Sequence, residues 1–392
     1  SLQLSYPAAT HLPLVESTMK EFNSALSMPA LALITLVFFA GCASLSGNPA
    51  PNPTAAPAAH GTFVYVSGST AGPATLTDGY RLNPDGTLTT LAGSPFPIAG
   101  QLAASGSFLI SVSQSGLTSY RVNRATGVPA PAASATVPTF VDTLGADTRN
   151  VYVAGASDDI GTFIYGFSIA ESGALTPVPG SPYIFGGPCD QCPLPLFPNL
   201  SLNNNFFALS MEGFRGSGGI SVYRRDSNGS LTPGGFAGFE GVSAAALQPR
   251  AGNVAFSLSG GIISYQLDPN GTPRQAMTLD PGIDARDETV DATGNFLLVL
   301  DSSGAVHVFS IDSATGNFSP LSTSEPAGDG VSLMAMDPSG RFAIVAQSSE
   351  GGFLSTPDRI TVFAFNPASG TMKKLQSYPL DQSPFRIAFV AE

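Results

Sequence analysis

The sequence predicts an all-β chain folded as a seven-bladed β-propeller of four-stranded antiparallel blades, and three observations predict it. An apolar run recurs seven times, at Phe63–Val66, Phe108–Ile110, Val151–Val153, Phe206–Leu209, Val254–Phe256, Phe296–Val299 and Phe342–Val345, in steps of 45, 43, 55, 48, 42 and 46 residues. A repeat of this length built from short strands is the mark of a propeller blade. A turn with one glycine closes each copy, at Gly86, Gly127, Gly173, Gly229, Gly271, Gly316 and Gly370. Finally, 43 Gly and 33 Pro in 392 residues favour tight turns over long helices.

Each element of the repeat follows from its residues. After the apolar run comes a segment with an aromatic two residues before another side chain: Tyr80/Leu82, Tyr120/Val122, Phe167/Ile169, Tyr223/Arg225, Tyr265/Leu267, Phe309/Ile311 and Phe363/Phe365. Alternation places both on one face of a strand, and Arg225 breaks the apolar pattern in the fourth copy. The aromatic stripe is expected to pack in the core. Turns such as Asn83-Pro-Asp-Gly86 and Asp268-Pro-Asn-Gly271 follow, where Asn or Asp bonds the backbone, Pro presets φ and Gly takes positive φ. A third run follows the glycine, as in Leu88–Leu91, and a fourth precedes the next copy, as in Val331–Met336 before Asp337-Pro-Ser-Gly340. The chain enters the first copy on a second strand, while Phe385–Val390 matches a first strand. The C-terminal strand is therefore expected to complete the N-terminal blade and close the ring.

The remainder divides into segments. Residues 1–18 lack apolar periodicity and are set aside as an upstream segment. Residues 19–41 read as a signal peptide: the apolar run Ala30–Ala40 spans about 16 Å as a helix, short of a ~30 Å hydrocarbon core. Phe39-Ala-Gly-Cys42 resembles a bacterial lipobox, which makes Cys42 the expected lipidation site. Residues 42–60, Pro- and Ala-rich and uncharged, form an extended tether, and 61–392 form the propeller. The expected location is the bacterial cell envelope, with membrane attachment through the lipid alone.

Composition narrows function. A net charge of −12 opposes phosphate-backbone binding, so no nucleic acid partner is expected. Three His far apart in sequence and three Cys point to no metal and no cofactor. Cys189-Asp-Gln-Cys192 sits in the longest repeat without a βαβ context, and outside the cytoplasm reads as a local disulfide. His307 lies opposite in parity to its strand's apolar set, expected at a solvated edge or a neighbouring blade. Asp226-x-Asn-Gly229 and Asp268-x-Asn-Gly271 echo a calcium loop but lack its remaining ligands. No Walker sequence, nucleophile elbow or dinucleotide fingerprint is present.

Val151-Tyr-Val-Ala154, Phe167-Ser-Ile169, Ser172–Val178, Gly180-Ser-Pro-Tyr183, Val308–Asp312 and Asp337–Phe342 resemble the lactonase family of seven-bladed propellers and its relatives with Tyr-Val-Thr-Asn repeats. The resemblance covers the whole globular part. It implies a site at a blade opening that carries Arg and His, with a second His and a Glu beyond. The matching stretch, Asp284–Asp291, keeps Arg286, but Asp287 and Asp291 stand in the His positions and Ser302 in that of Glu. Lactone hydrolysis needs a general base and a cation for the developing oxyanion. Arg286 is the candidate cation and Asp287 or Glu288 the candidate base. Loops before the first strands converge on one mouth of the channel, which makes Asp142, Glu240, Asp329, Gln382 and Arg386 candidate ligand contacts. An acid-rich mouth and export both count against a phosphorylated lactone.

The expectation from sequence is thus a monomeric, lipid-anchored, non-catalytic propeller binding an envelope glycan, a small polar ligand or a protein. The alternative is a divergent lactonase, and a structural surface module is a third reading. Convergence of Arg286 with a carboxylate in a concave mouth separates the first two.

Overall fold

The structure is a computed structural model. It describes residues 61–69, 75–138, 141–157, 161–185, 194–212, 217–240, 244–249, 252–328, 330–348 and 358–391. Cys42, Cys189, Cys192 and Asp329, and with them the lipidation, disulfide and one mouth expectation, lie outside these residues.

Seven antiparallel sheets form the blades. Their innermost strands, blades one to seven, are Ser383–Ala391, Gln101–Ser105, Thr143–Ala146, Leu194–Leu202, Ala244–Leu247, Ala285–Val290 and Val331–Met336. Blade one is closed as the sequence predicts: Ser383–Ala391 pairs with Thr62–Ser69, placing Phe63 opposite Val390 and Tyr65 opposite Ala388. Blade three departs from four strands, because Leu175–Pro177 and Tyr183–Phe185 both pair with Gly161–Ile169 as two pieces of one outer strand.

The second strand of each blade explains the unbroken apolar runs. Phe63–Val66, Leu297–Leu300 and Ala343–Ala346 are wholly buried, with neighbouring blades covering both faces. Alternation therefore disappears where a strand has no solvent face. The aromatic stripe is core, as expected: Tyr80, Phe167, Tyr223, Tyr265, Phe309 and Phe363 are all buried. All seven turn glycines have positive φ, between 66° and 91°. The backbone turn bond is made in each, as from Gly271 N–H to the Asp268 carbonyl at 2.9 Å. Asp268 Oδ1 also accepts from the Asn270 and Thr272 amides, so hairpin chemistry accounts for this residue.

Blades are also stitched by polar contacts. The Tyr65 hydroxyl donates to the Gly127 carbonyl of blade two, and the Tyr152 hydroxyl to the Gly229 carbonyl of blade four. Arg225, the anomaly of the fourth copy, crosses to blade three. It is buried, pairs with Asp147, donates to the Asn203 carbonyl and lies over the Tyr152 ring.

Candidate functional site at the channel mouth

Each innermost strand is the edge of its sheet. Its outer-facing backbone groups therefore meet the channel instead of a neighbouring strand. Cross-blade side chains use some of these donors: the Leu247 amide donates to Ser201 Oγ, and the Met334 amide to Asp287 Oδ2 at 2.8 Å. Small and aliphatic side chains such as Ala103, Leu144, Ala246 and Leu333 leave a channel cavity of about 460 Å³. Three charged residues line it: Asp287, Glu288 and Arg386.

The sheet register explains how blade six supplies two of them. Ala285 pairs with Asp301 and Asp287 with Leu300, so Arg286 is an extra residue in a β-bulge. A bulge re-aims the side chains around it. Arg286 points out to solvent, about half exposed, and pairs with Asp284 at 2.5 Å. It does not line the cavity. Asp287 and Glu288 are each 6% exposed.

Asp287 is held on both oxygens, Oδ1 by the Glu288 amide at 2.9 Å and Oδ2 by the Met334 amide. Burial pushes its carboxyl up to about 7, against those two amides and the Arg386 charge, which favour the anion. Glu288 is pushed well above the usual carboxylate range by burial and by the neighbouring Asp287. Both of its oxygens are buried without a hydrogen-bond partner. The Ala246 amide favours its anion but stands outside hydrogen-bond geometry.

Arg386 comes from the closing strand of blade one. Its Nε donates to Gln101 Oε1 at 2.6 Å and Nη2 to Thr143 Oγ1 at 3.1 Å, so residues of blades two and three aim it. Burial lowers it to about 10, with Asp287 acting in the opposite direction. A desolvated guanidinium beside a carboxyl poised near neutrality is a pairing found at reactive sites.

Among the described residues, the other sequence candidates lie outside the cavity lining. Asp142, just before the innermost strand of blade three, does not line the cavity; its Oδ2 is buried without a partner and burial pushes it up to about 6. Gln382 is buried inside blade one, donating to Asp78 Oδ2 and the Val66 carbonyl. Glu240 ends the outer strand of blade four, opposite Ser217. Asp291 is a turn residue: Oδ1 accepts from the Asn295 and Phe296 amides and Oδ2 from Thr293. The Ser302 amide donates to the Asp284 carbonyl. His307 bridges strands of blade six, with Nε2 2.8 Å from Asp301 Oδ2 and Nδ1 3.2 Å from Thr323 Oγ1. Among the described residues, no three His, Cys, Asp or Glu side chains gather as a metal site.

Sequence reasoning missed Gln101 and Thr143. Both open innermost strands, at the level of the repeat that Asp287 occupies in blade six. Counted from the preceding turn glycine, Thr143 and Asp287 fall at the same step and Gln101 one residue short of it.

The fold and site define a seven-bladed propeller with two buried acids and an arginine lining its channel. Residues 259–389, a third of the chain including all three charged cavity residues, match the family model described as lactonase, 7-bladed β-propeller. The chain is similar to a solved protein from Lactobacillus plantarum, 19% identical over 84% of this chain and 99% of the other, with a TM-score of 0.63. It is similar to a putative 6-phosphogluconolactonase from Bacteroides fragilis, 16% identical over 88% and 100%, TM-score 0.62. A periplasmic gluconolactonase from Pseudomonas aeruginosa is 21% identical over 84% and 99%, TM-score 0.62. At these identities the structural likeness establishes the fold. No curated protein sequence gives a significant match.

Proposed function

We propose that the chain is a lactone hydrolase whose site is the channel mouth, with Asp287 as general base and Arg386 as oxyanion stabiliser. The observation that carries the reading is the meeting of Asp287, Glu288 and Arg386 on one cavity, inside the segment that matches the lactonase family. The role expected of Arg286 passes to Arg386, because the bulge turns Arg286 to solvent.

In this mechanism a water attacks the lactone carbonyl carbon and gives its proton to the Asp287 carboxylate. The Arg386 guanidinium faces the negative charge that develops on the carbonyl oxygen. The C–O ring bond then breaks, and the leaving ring oxygen takes the proton back from Asp287. The product is the open hydroxy acid. A base near 7 suits this chemistry, being ionised at the operating pH yet basic enough to accept the proton.

Two buried acids against one cavity arginine favour an unphosphorylated lactone. A location outside the cytoplasm fits the Ala30–Ala40 run and the periplasmic neighbour, with anchoring through Cys42 as the finer form of that reading. The test is hydrolysis of aldonolactones by the full chain, followed as acid release, beside Arg386→Ala and Asp287→Asn. Turnover lost in both variants supports the reading. A second reading, a propeller that binds a small polar ligand or an envelope partner without turnover, is favoured by the departures at Asp287, Asp291 and Ser302 from the family pattern. It gains if no lactone is hydrolysed above background.

A further inference from the structure

Glu288 is the one charged cavity residue that the mechanism leaves unused. Asp287 is occupied by two amides and Arg386 by Gln101 and Thr143. Glu288 is 94% buried, lines the same cavity, and has no hydrogen-bond partner on either oxygen. A buried carboxyl left unsatisfied is costly, so its retention calls for a partner that arrives from outside.

We propose that Glu288 is the specificity residue of the channel, and that it recognises two adjacent hydroxyls on the ring of a lactone substrate. This rests on the lactonase reading and goes further by naming what the substrate must carry. Burial and the adjacent Asp287 raise the Glu288 carboxyl well above the usual carboxylate range, which favours its protonated form. A neutral carboxyl presents one O–H donor and one carbonyl acceptor. A vicinal diol presents the complementary acceptor and donor on neighbouring carbons. A deoxy lactone brings neither and leaves the carboxyl orphaned, and sites with buried polar groups reject such analogues strongly. The free backbone edges of the innermost strands add further donors and acceptors for the remaining hydroxyls.

Substitution by glutamine or methionine at Glu288 separates recognition from packing. A glutamine amide also presents one acceptor and a donor in nearly the same shape, so Glu288→Gln should preserve recognition, whereas Glu288→Met should abolish it. The experiment measures binding of D-glucono-1,5-lactam, a ring that the enzyme cannot hydrolyse as a lactone, to the full-length wild type and both variants. Circular dichroism first confirms that each variant is folded. The expected result is affinity within threefold of wild type for Glu288→Gln and at least thirtyfold weaker for Glu288→Met. In wild type, 2-piperidone, with the ring amide and no hydroxyls, should displace the lactam only at concentrations at least thirtyfold higher.

Equal binding by wild type and Glu288→Met overturns the proposal. So does a Gln variant as weak as the Met variant, which would mean an ionised carboxylate accepting from both hydroxyls. Competition by 2-piperidone on equal terms removes the hydroxyl requirement and overturns it too. No lactam binding to wild type overturns the substrate class. Binding in the expected pattern without lactone turnover leaves Glu288 as the recognition group and removes only the hydrolytic reading.

Discussion

Two arginines of this propeller, Arg225 buried and Arg386 half-buried, are held in opposite ways. Arg225 meets Asp147 at 2.5 Å, with the Asn203 carbonyl, Asn150 Oδ1 and the Tyr152 ring around it. Its pKa is raised although burial acts to lower it, because Asp147 and its other partners together outweigh burial. Arg386 donates to two neutral side chains, Gln101 and Thr143, and burial wins over the attraction of Asp287. The first arginine is an inter-blade clamp with its charge answered. The second stands on a cavity wall, where burial lowers its pKa to about 10 against the pull of Asp287. Stability and function separate along that line, since groups whose pKa burial displaces cluster where chemistry is done.

Exchanging each arginine for methionine is the strongest way to break the comparison. Arg386→Met should lower kcat/KM for a hydrolysed lactone by about 10²–10³-fold, the usual cost of removing an oxyanion donor. Arg225→Met should leave turnover within about twofold. It should instead destabilise the fold by roughly 2–3 kcal/mol in urea melts, below the 3–5 of a fully buried pair because Asp147 is a third exposed. A turnover defect in Arg225→Met equal to that of Arg386→Met would dissolve the distinction.

The pH dependence sharpens it, because activity and stability should run in opposite directions. Asp287 has a folded-state pKa near 7, well above its unfolded value. A raised acid binds its proton more tightly in the folded state, so stability falls as pH rises from about 4 through 7. The deprotonated form is the base, so kcat/KM should rise over the upper part of that interval. Asp287→Asn should make the stability profile less steep, the remaining slope coming from Asp142 and Glu288, and abolish turnover. A wild type whose stability rises from pH 5 to pH 8 would mean that Asp287 is not strained as an anion.

Glu288→Met gives a smaller effect of the same kind. Removing an unpartnered buried carboxyl in favour of an apolar chain of similar length should stabilise the fold by about 1–2 kcal/mol at pH 7. The same change is the one expected to destroy ligand recognition. Gain of stability with loss of binding is the trade expected where a site carries stored desolvation cost.

How much of this was legible in the sequence depends on range. The seven glycine turns were, because each is fixed by residues within four positions of one another. Ring closure was legible too, since Phe385–Val390 repeats a pattern found six times before it. Asp287 and Glu288 were found as an acidic segment at a blade opening, and Arg386 as a mouth residue. Their approach to one mouth followed from the blade topology, but which of the mouth residues would share the cavity did not, because that depends on side-chain direction at each strand. The direction of Arg286 was not visible either. A single inserted residue between Ala285 and Asp287 reverses the parity on which any face assignment depends. Arg225 was visible as an exception but not as a clamp, for Asp147 lies 78 residues away.

Arg286→Ala is the smallest prediction and the one that tests the bulge. Its guanidinium and Asp284 are 49% and 59% exposed, a setting in which an ion pair contributes little even at 2.5 Å. Stability should change by less than about 0.5 kcal/mol and kcat/KM by less than about twofold. Deleting Arg286 altogether is different, because it removes the extra residue. Ala285 and Asp287 would then have to resume plain alternation, turning either the Asp287 or the Ala285 side of the strand away from its present face. Turnover should fall as far as in Asp287→Asn, although the arginine side chain itself does no chemistry. If Arg286→Ala alone abolished turnover, the reacting groups would lie on the solvent rim beside Asp284, and the channel assignment of Asp287 and Arg386 would fail.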